Sequence, residues 1–386
     1  MNMILPNKCD NPIYPQVNHT HNEQGQRQTI DTLRTSPQGQ IWEKTLSNEC
    51  GRLSQGNVHG VQPTNTISFI YWGELPSNQD VIYASFVCDH RPLMSEPWRV
   101  RIVVGGDRLL YKHDTGSPAA SLLETKILLN NTISDAEKGA HFMSLDLNHF
   151  FLATPMPNPE YMKVAYKYFP QDIIDKYELN KKVHQGYIYI KILKGMYGLK
   201  QAAVLAYENL IKNLEPFGYE PIPHTDSYWR HKLYPTKFCL CVDDFRVKYF
   251  KKIDSNHLIS SLQTNYKIST DFSGQNYCGL TFDWEYKREF VDILIPDYIP
   301  KALDKFQHKP SKPQYSPHVY HCPNNGSKVQ YAKSQDTSRP ATKKETTNVQ
   351  SVTGTFLYYC RTIDPTTWLL RWTTLQQCNP NTRKKP

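Results

Sequence analysis

Two adjacent carboxylates, Asp243 and Asp244, close the run "KFCLCVDDF" (237–245), and no basic residue stands between the apolar stretch and the pair. On its own an Asp-Asp pair is ordinarily a turn that caps a strand and meets water. Here Phe238, Leu240 and Val242 alternate with Cys239 and Cys241, and Phe245, Val247 and Tyr249 continue the period of two. The carboxylates therefore fall at a hairpin turn between two strands. Like charges held so close repel unless a divalent cation neutralises them, and oxygen donors with open positions suit Mg²⁺. Such a site needs a further carboxylate from elsewhere. Asp146 in "MSLDLNHFF" is the candidate, at the end of an apolar strand with Phe142 and Met143 before it and Phe150 and Phe151 after it. Taken alone, it reads better as a strand-terminal Asp capping the next turn.

The elements that must hold these groups are bounded by composition. A chain of 386 residues can bury a sizeable core and is expected to hold two or more subdomains. With 39% hydrophobic and 12% aromatic residues it belongs with globular rather than disordered proteins. The net charge of +9 is unevenly placed, since residues 301–386 hold 14 Lys and Arg against 4 Asp and Glu, leaving 31 against 32 before them. That asymmetry points to a surface facing a polyanion, or to a solvated basic tail. The nine cysteines form no CxxC pair, and Cys239 and Cys241 share one strand face as small apolar residues. His318, His321 and Cys322 in "HVYHC" lack a second ligand pair at a finger-like distance, which favours a structural role over zinc. With no signal peptide and no apolar run able to span a bilayer, an intracellular, reduced protein is expected, in the cytoplasm or alternatively the nucleus, with no membrane partner.

Residues 1–65 are rich in Asn, Gln, Thr and Gly, so a loosely packed leader is expected there, with a short ordered piece at "IWEKTLSNECGRL". Strand-like alternation begins at "TISFIYW" and resumes at "VIYASFVCDHRP" and "WRVRIVV". "SPAASLLETKILLNNTI" predicts a helix opening at Ser117-Pro118. "QAAVLAYENLIKNL" predicts another, with Val204, Tyr207, Ile211 and Leu214 as its core stripe. "SNHLISSLQTNY" reads as a helix with a Ser N-cap, "NYCGLTFDWEYKREFVDILI" as a hairpin, and "IPDYIPKALDKFQH" as a helix with Pro300 in its first turn. The mixture of strands and helices is α+β.

At this point the chain resembles the reverse transcriptase of copia-class LTR retrotransposons. "RVRIVVGGDRL", "FMSLDLNHFFLATPM", "YIYIKILKGMYGLKQA", "VDDFRVKYF", "YCGLTFDW" and "QSVTGTFLYYCRTIDPT" follow that family's order and approximate spacing over roughly residues 41–376. The resemblance implies an RNA-directed DNA polymerase with a right-hand fold: a ferredoxin-like palm, fingers, and a partial thumb or connection region. It sets expected boundaries of 1–65 for a poorly ordered leader, 66–140 and 161–198 for fingers, 141–160 and 199–290 for palm, and 291–386 for a basic thumb-like segment ending before any RNase H. Expected partners are an RNA/DNA template-primer and dNTPs, with integrase and RNase H parts in an intact element. An alternative is a degenerate, catalytically inactive retroelement fragment that retains nucleic-acid binding.

Residue by residue, the resemblance matches Asp146 to the first motif aspartate and Asp243 and Asp244 to the Tyr-x-Asp-Asp-like motif. It implies two Mg²⁺ ions bridged by Asp146 and Asp243, with Asp244 assisting the ion that activates the primer hydroxyl. Phe151 falls where the family places the bulky ring that excludes a ribose 2′-OH, and otherwise reads as a core aromatic. Gln201 matches the glutamine that lines the incoming nucleotide, and otherwise is an early-turn polar residue. Arg99 and Arg101 alternate on one strand and are matched to triphosphate-clamping arginines, Arg101 being preferred. Cys278 and Gly279 resemble the primer-grip turn, where a plain hairpin glycine is the ordinary reading. Two positions depart from the pattern: Cys241, where the family has Tyr or another apolar residue, and Arg246, where it has a small one.

Overall fold

The computed structural model describes residues 20, 28–90, 96–109, 111, 113–277, 279–309, 339 and 341–365. The chain divides into two compact units, Met1–Cys278 with Trp284–Val291, and Gly279–Asp283 with Asp292–Pro386. In the first unit the strands are β1 (Ile67–Ile70), β2 (Val81–His90), β3 (Trp98–Val104), β4 (His141–Asn148), β5 (Pro155–Ala165), β6 (Tyr187–Lys194), β7 (Tyr219–Pro221), β8 (Tyr228–His231), β9 (Lys237–Cys241), β10 (Asp244–Tyr249) and β11 (Lys267–Asp271). Its helices are α1 (Ile30–Arg34), α2 (Gly39–Leu53), α3 (Leu122–Ser134), α4 (Gln171–Lys176), α5 (Leu179–Lys182), α6 (Ala202–Leu214) and α7 (Lys252–Gln263).

These strands make two sheets, ordered β1-β6-β5-β2-β3 and β11-β4-β10-β9-β8-β7. In the second sheet the chain runs β4, α6, β9, β10, α7, β11, and the strands stand side by side as β11-β4-β10-β9, with antiparallel neighbours. Alternation explains the layering. Met143, Leu145 and Leu147 of β4 and Phe245 and Val247 of β10 form one core with Ala206, Leu210 and Leu214 of α6 and Leu258 and Leu262 of α7. The intervening residues of β4 and β10 take the opposite face. There α3 lies close, with Arg246 Nη1 donating to Thr125 Oγ1 at 2.6 Å and Lys248 Nζ donating to Asn131 O at 2.8 Å and to Asp135. A buried lysine such as Lys248 is tolerable because each of its donors meets an oxygen.

The other sheet buries Ile82, Met162, Ile188, Ile190 and Ile192 in a core shared with Trp42, Leu46 and Leu53 of α2. The ordered piece expected at 41–53 is α2, which carries its polar residues around a narrow stripe of Trp42, Leu46, Cys50 and Leu53 at helical spacing. The loosely packed leader expected before it is corrected at 30–34, which form α1, capped by Thr29, whose side chain accepts from Thr32 N.

Other boundaries also move. Helix α3 opens at Leu122, because Ser121 and Glu124 form a capping box, and so starts later than the Ser117-Pro118 expected. Helix α7 opens at Lys252, with Asp254 accepting from Lys251 N, ahead of the expected Ser cap. The buried stripe of α6 is Ala202, Ala206, Leu210 and Leu214, one step round from the predicted one. Strand β5 belongs to the five-stranded sheet from Pro155, and α3 packs on the six-stranded one, so neither the 141–160 nor the 66–140 span follows the sheet boundaries.

In the second unit, α8 (Tyr298–Lys305) and α9 (Lys343–Thr362) meet through Tyr298, whose ring lies against Tyr358 and Tyr359 and whose hydroxyl donates to Thr355 O at 2.9 Å. The expected hairpin is present as neighbouring strands Leu280–Glu285 and Phe290–Leu294. His318, His321 and Cys322 lie outside the described residues. Among the described residues no helix is long and apolar enough to cross a membrane.

Truncating the α2 anchor tests this packing. Trp42, 1% exposed, stacks edge-on against Trp98 of β3 at 5.2 Å. Trp42→Ala is expected to cost about 3–5 kcal/mol in urea unfolding. A cost under about 1 kcal/mol would mean that α2 is not part of the core.

Candidate catalytic site

The hairpin that presents the carboxylates is tight. Strand β9 ends at Cys241, Val242 and Asp243 make the turn, and Asp244 opens β10. Val242 stands at φ +63°, a left-handed conformation that is costly for a β-branched residue. Its side chain packs on the core of the six-stranded sheet, which offsets the strain. The turn is tied to β4 by Leu147 N donating to Asp243 O at 2.9 Å. In the β10·β4 register Asp244 stands directly opposite Asp146. Three residues more than ninety positions apart in part are thereby gathered at one end of two paired strands, with like charges face to face, an arrangement that destabilises a sheet.

The electrostatics register this. Burial, reinforced by Asp244 and opposed by Arg99, raises the Asp146 carboxyl to about 6. Burial, then Asp244 and Asp146, raises Asp243 to about 7, against the pull of its own backbone hydrogen bond and of Arg101. The two arginines matched to triphosphate binding thus act on the two carboxylates at a distance, Arg99 lowering Asp146 and Arg101 lowering Asp243. Next along the chain, His149 holds φ +61° and is pushed down to about 4 by burial and by Arg52, Arg99 and Lys267.

Phe151 opens the short 3₁₀ turn after β4 and is packed against the cores of both sheets. Its ring meets Tyr197 edge-on at 5.7 Å, and the Arg101 guanidinium lies over the other ring 4.4 Å from its centroid. Tyr197 was not singled out by the sequence reading. What places it is Gly198, at φ +94°, where a Cβ would lie 2.0 Å from Val104 O, while Val104 N donates to Tyr197 O at 2.8 Å. Only glycine lets the "MYGLK" loop lie this close to β3. Arg101 Nε is buried without a hydrogen-bond partner.

Gln201 is placed differently from the expectation that it lines a nucleotide. It is 4% exposed, and its Nε2 donates to Glu160 Oε1 at 2.9 Å. Gly279 has φ +80° and belongs to the second unit, and Cys278 lies outside the described residues. Cys241 stands opposite Asp244 on β9 and is buried. Arg246, two residues from Asp244 on the same strand face, is fully buried against α3, with its guanidinium over the Tyr277 ring. Among the described residues no three His, Cys, Asp or Glu side chains are arranged to hold a metal ion as they stand.

No family model matches the chain, and no curated protein matches it. Solved structures with some likeness include a foamy viral protease-reverse transcriptase in complex with double-stranded DNA, at TM-score 0.36 and 12% identity over 76% of this chain and 37% of that one. Others are a Candida albicans telomerase with a telomeric RNA fragment, at TM-score 0.34 and 8% identity over 63% and 48%, and an apo Candida tropicalis telomerase, at 0.29 and 10% over 66% and 60%. The chain spans less than two thirds of each of them.

The raised carboxyls make a prediction with a definite sign. An acid whose folded pKa lies above its unfolded value near 4 is protonated first in the folded state, so stability is gained as pH falls through 7 and 6. In EDTA, Asp243→Asn should melt above the parent at pH 8, by a relief on the order of 1 kcal/mol or ~2 °C, and the two should converge only below about pH 4, where the carboxyl is protonated in folded and unfolded chains alike. Equal melting temperatures at pH 8 would show that the carboxylates do not repel.

Proposed function

We propose that the chain is an RNA-directed DNA polymerase domain of a retrotransposon, extending a primer 3′ end with dNTPs. The observation that carries the reading is the pairing of Asp146 directly against Asp244, with Asp243 on the adjoining turn, at the end of a sheet whose order β11-β4-β10-β9 is that of a ferredoxin-like palm. In this reading the five-stranded sheet is the fingers and the second unit the thumb or connection.

The donor set suits Mg²⁺: three hard carboxylate oxygens side by side, two of them reluctant to ionise without a counter-charge. Asp146 and Asp243 would hold two ions jointly, with Asp244 assisting, after side-chain rotation from their present positions. Held there, Mg²⁺ supplies charge neutralisation for the attacking and leaving oxygens. The protein's own part is positioning. Arg99 and Arg101 present planar cations suited to phosphate oxygens, and Tyr197 fixes the Arg101 plane. Phe151, wedged against Tyr197, limits room at the sugar's 2′ position. Arg246 is committed to Thr125 on α3, and the cations that lower Asp146 and Asp243 are Arg99 and Arg101, so the departure at 246 does not by itself favour the inactive alternative.

Primer extension tests the reading. Asp243→Asn keeps the shape and removes a negative oxygen ligand, and should lower the single-nucleotide rate by a factor on the order of 100 to 1000. In Phe151→Val the rNTP to dNTP incorporation ratio should rise, with some loss of stability because the ring packs in both cores. A parent chain that extends no primer on RNA would favour the inactive remnant, and an unchanged sugar ratio in an active variant would remove Phe151 from the gate.

A further inference from the structure

His231, the last residue of β8, is 8% exposed, and its imidazole is used on both sides. Nδ1 accepts the backbone N–H groups of Leu233 at 2.9 Å and of Tyr234 at 2.7 Å. An atom that takes two donors carries no proton, so the ring is neutral with its hydrogen on Nε2. Nε2 lies 2.8 Å from Phe217 O, and since a carbonyl only accepts, the ring donates there, as the tautomer requires. Gly218 makes room for this bond, at φ +88°, where a Cβ would stand 2.8 Å from Nε2. One side chain thereby fastens the turn 232–235 to the turn Glu215–Phe217 that follows α6. Backbone bonds from His231 N to Thr236 O at 3.1 Å and from Lys232 N to Gly218 O at 3.0 Å complete the fastening.

A second proton on this ring has only Nδ1 to go to, where two N–H donors already point. The charged and titratable groups packed against it do not favour that proton. On β7, Tyr219 stands opposite His231 with the rings 4.6 Å apart, and Glu220 takes Arg230 at 2.7 Å and Lys232 at 3.7 Å. On α7, the His257 ring is 5.1 Å away with its Nδ1 on the Tyr219 hydroxyl at 3.0 Å, while Asp254 accepts from Lys251 N at 2.8 Å. Burial, and then the nearness of His231, pushes His257 below the ordinary imidazole range. Tyr234 meets the His231 ring from the turn at 4.7 Å, Lys237 of β9 pairs with Arg230, and Glu215 is exposed at the head of the fastened turn.

We propose that His231 is a pH-sensitive latch: neutral, it holds the 232–235 turn closed, and its protonation opens that turn while the core of the six-stranded sheet stays folded. An open turn leaves Nδ1 free to take a proton near pH 6.5, whereas the closed turn does not, so opening becomes more favourable by up to about tenfold for each pH unit below that value. Opening stays local because little rides on the turn. Leu233 is 90% exposed, and beneath it Trp229 and Phe238 remain stacked at 5.4 Å within the core. The latch closes the end of β9 away from Asp243 and works without metal, primer or catalysis.

The test uses the full chain between pH 8 and pH 5. Long-range ¹H–¹⁵N spectra of the histidine-labelled chain should show His231 as the Nε2–H tautomer at pH 8, assigned by the signal lost in His231→Asn. Hydrogen exchange read by mass spectrometry, corrected for the intrinsic effect of pH, should show the protection of the peptide spanning 231–236 falling about tenfold between pH 7.5 and pH 5.5, while peptides of β9 and β10 keep theirs. His231→Asn, which keeps an acceptor close to the Nδ1 position and does not titrate, should show no such fall, and His257→Gln should show it as the parent does. Should His231→Asn fail to fold, His231→Gln, which keeps a donor for Phe217 O, serves both for the assignment and as the non-titrating control. An Nδ1–H tautomer at pH 8, protection of the turn that does not change with pH in the parent, or an equal fall in the non-titrating variant would overturn the latch. So would a fall abolished by His257→Gln, which would place the titrating group on α7, or a fall shared by β9 and β10, which would make it general acid unfolding.

Discussion

Repulsion among Asp146, Asp243 and Asp244 is the constraint around which the first unit is organised. Asp146 and Asp244 are opposed across a strand pair, and the partial burial of Asp146 thins the water that would screen the contact. Backbone pairing and the apolar residues beneath must hold the strands together against that force. Leu145, Leu147, Phe245 and Val247 do so, each nearly fully buried on the helix-covered face of the same two strands. Burying four such side chains contributes on the order of 1.5–3 kcal/mol each, enough to carry a local electrostatic cost of a few kcal/mol. A carboxylate cluster under such support is a site with an unmet need for positive charge, and that need is what a cation or a phosphate-bound ion would satisfy.

The same arrangement couples the two sheets of the unit. Phe151 follows β4 by a few residues and touches both cores, and through Tyr197 it meets Arg101 on β3. A shift of β3 would therefore move the Arg101 cation and the Phe151 ring together. Arg101 and Phe151 are read here as one device, since both lean on Tyr197, and Gly198 is what lets that tyrosine reach them.

Much of the site was legible in the sequence, because the period-two alternation through "KFCLCVDDFRVKYF" and "HFMSLDL" requires strands ending in acids. Pairing of those strands, which sets Asp146 against Asp244, is a long-range register that alternation does not specify. Tyr197 escaped notice for a related reason: its role depends on Gly198 approaching Val104, ninety-odd positions away in the chain. The ordered piece expected at 41–53 is helix α2, where Trp42 and Leu46 at a spacing of four carried the signal, whereas the short helix α1 ahead of it left too little periodicity to be read. Gln201 was singled out by a motif match alone, and its hydrogen bond to Glu160 is a partner that no local pattern foretold.

The central claim is that Asp146, Asp243 and Asp244 form a divalent-cation site for phosphoryl transfer. Anomalous diffraction from crystals of the chain with a primer-template, a non-reactive dNTP analogue and Mn²⁺ in place of Mg²⁺ addresses it most directly. The account predicts peaks at roughly 2.0–2.3 Å from carboxylate oxygens of Asp146 and Asp243, lost in the Asp243→Asn crystal. Nucleotide bound with no peak at these carboxylates, or with the ion held by other residues, would contradict it.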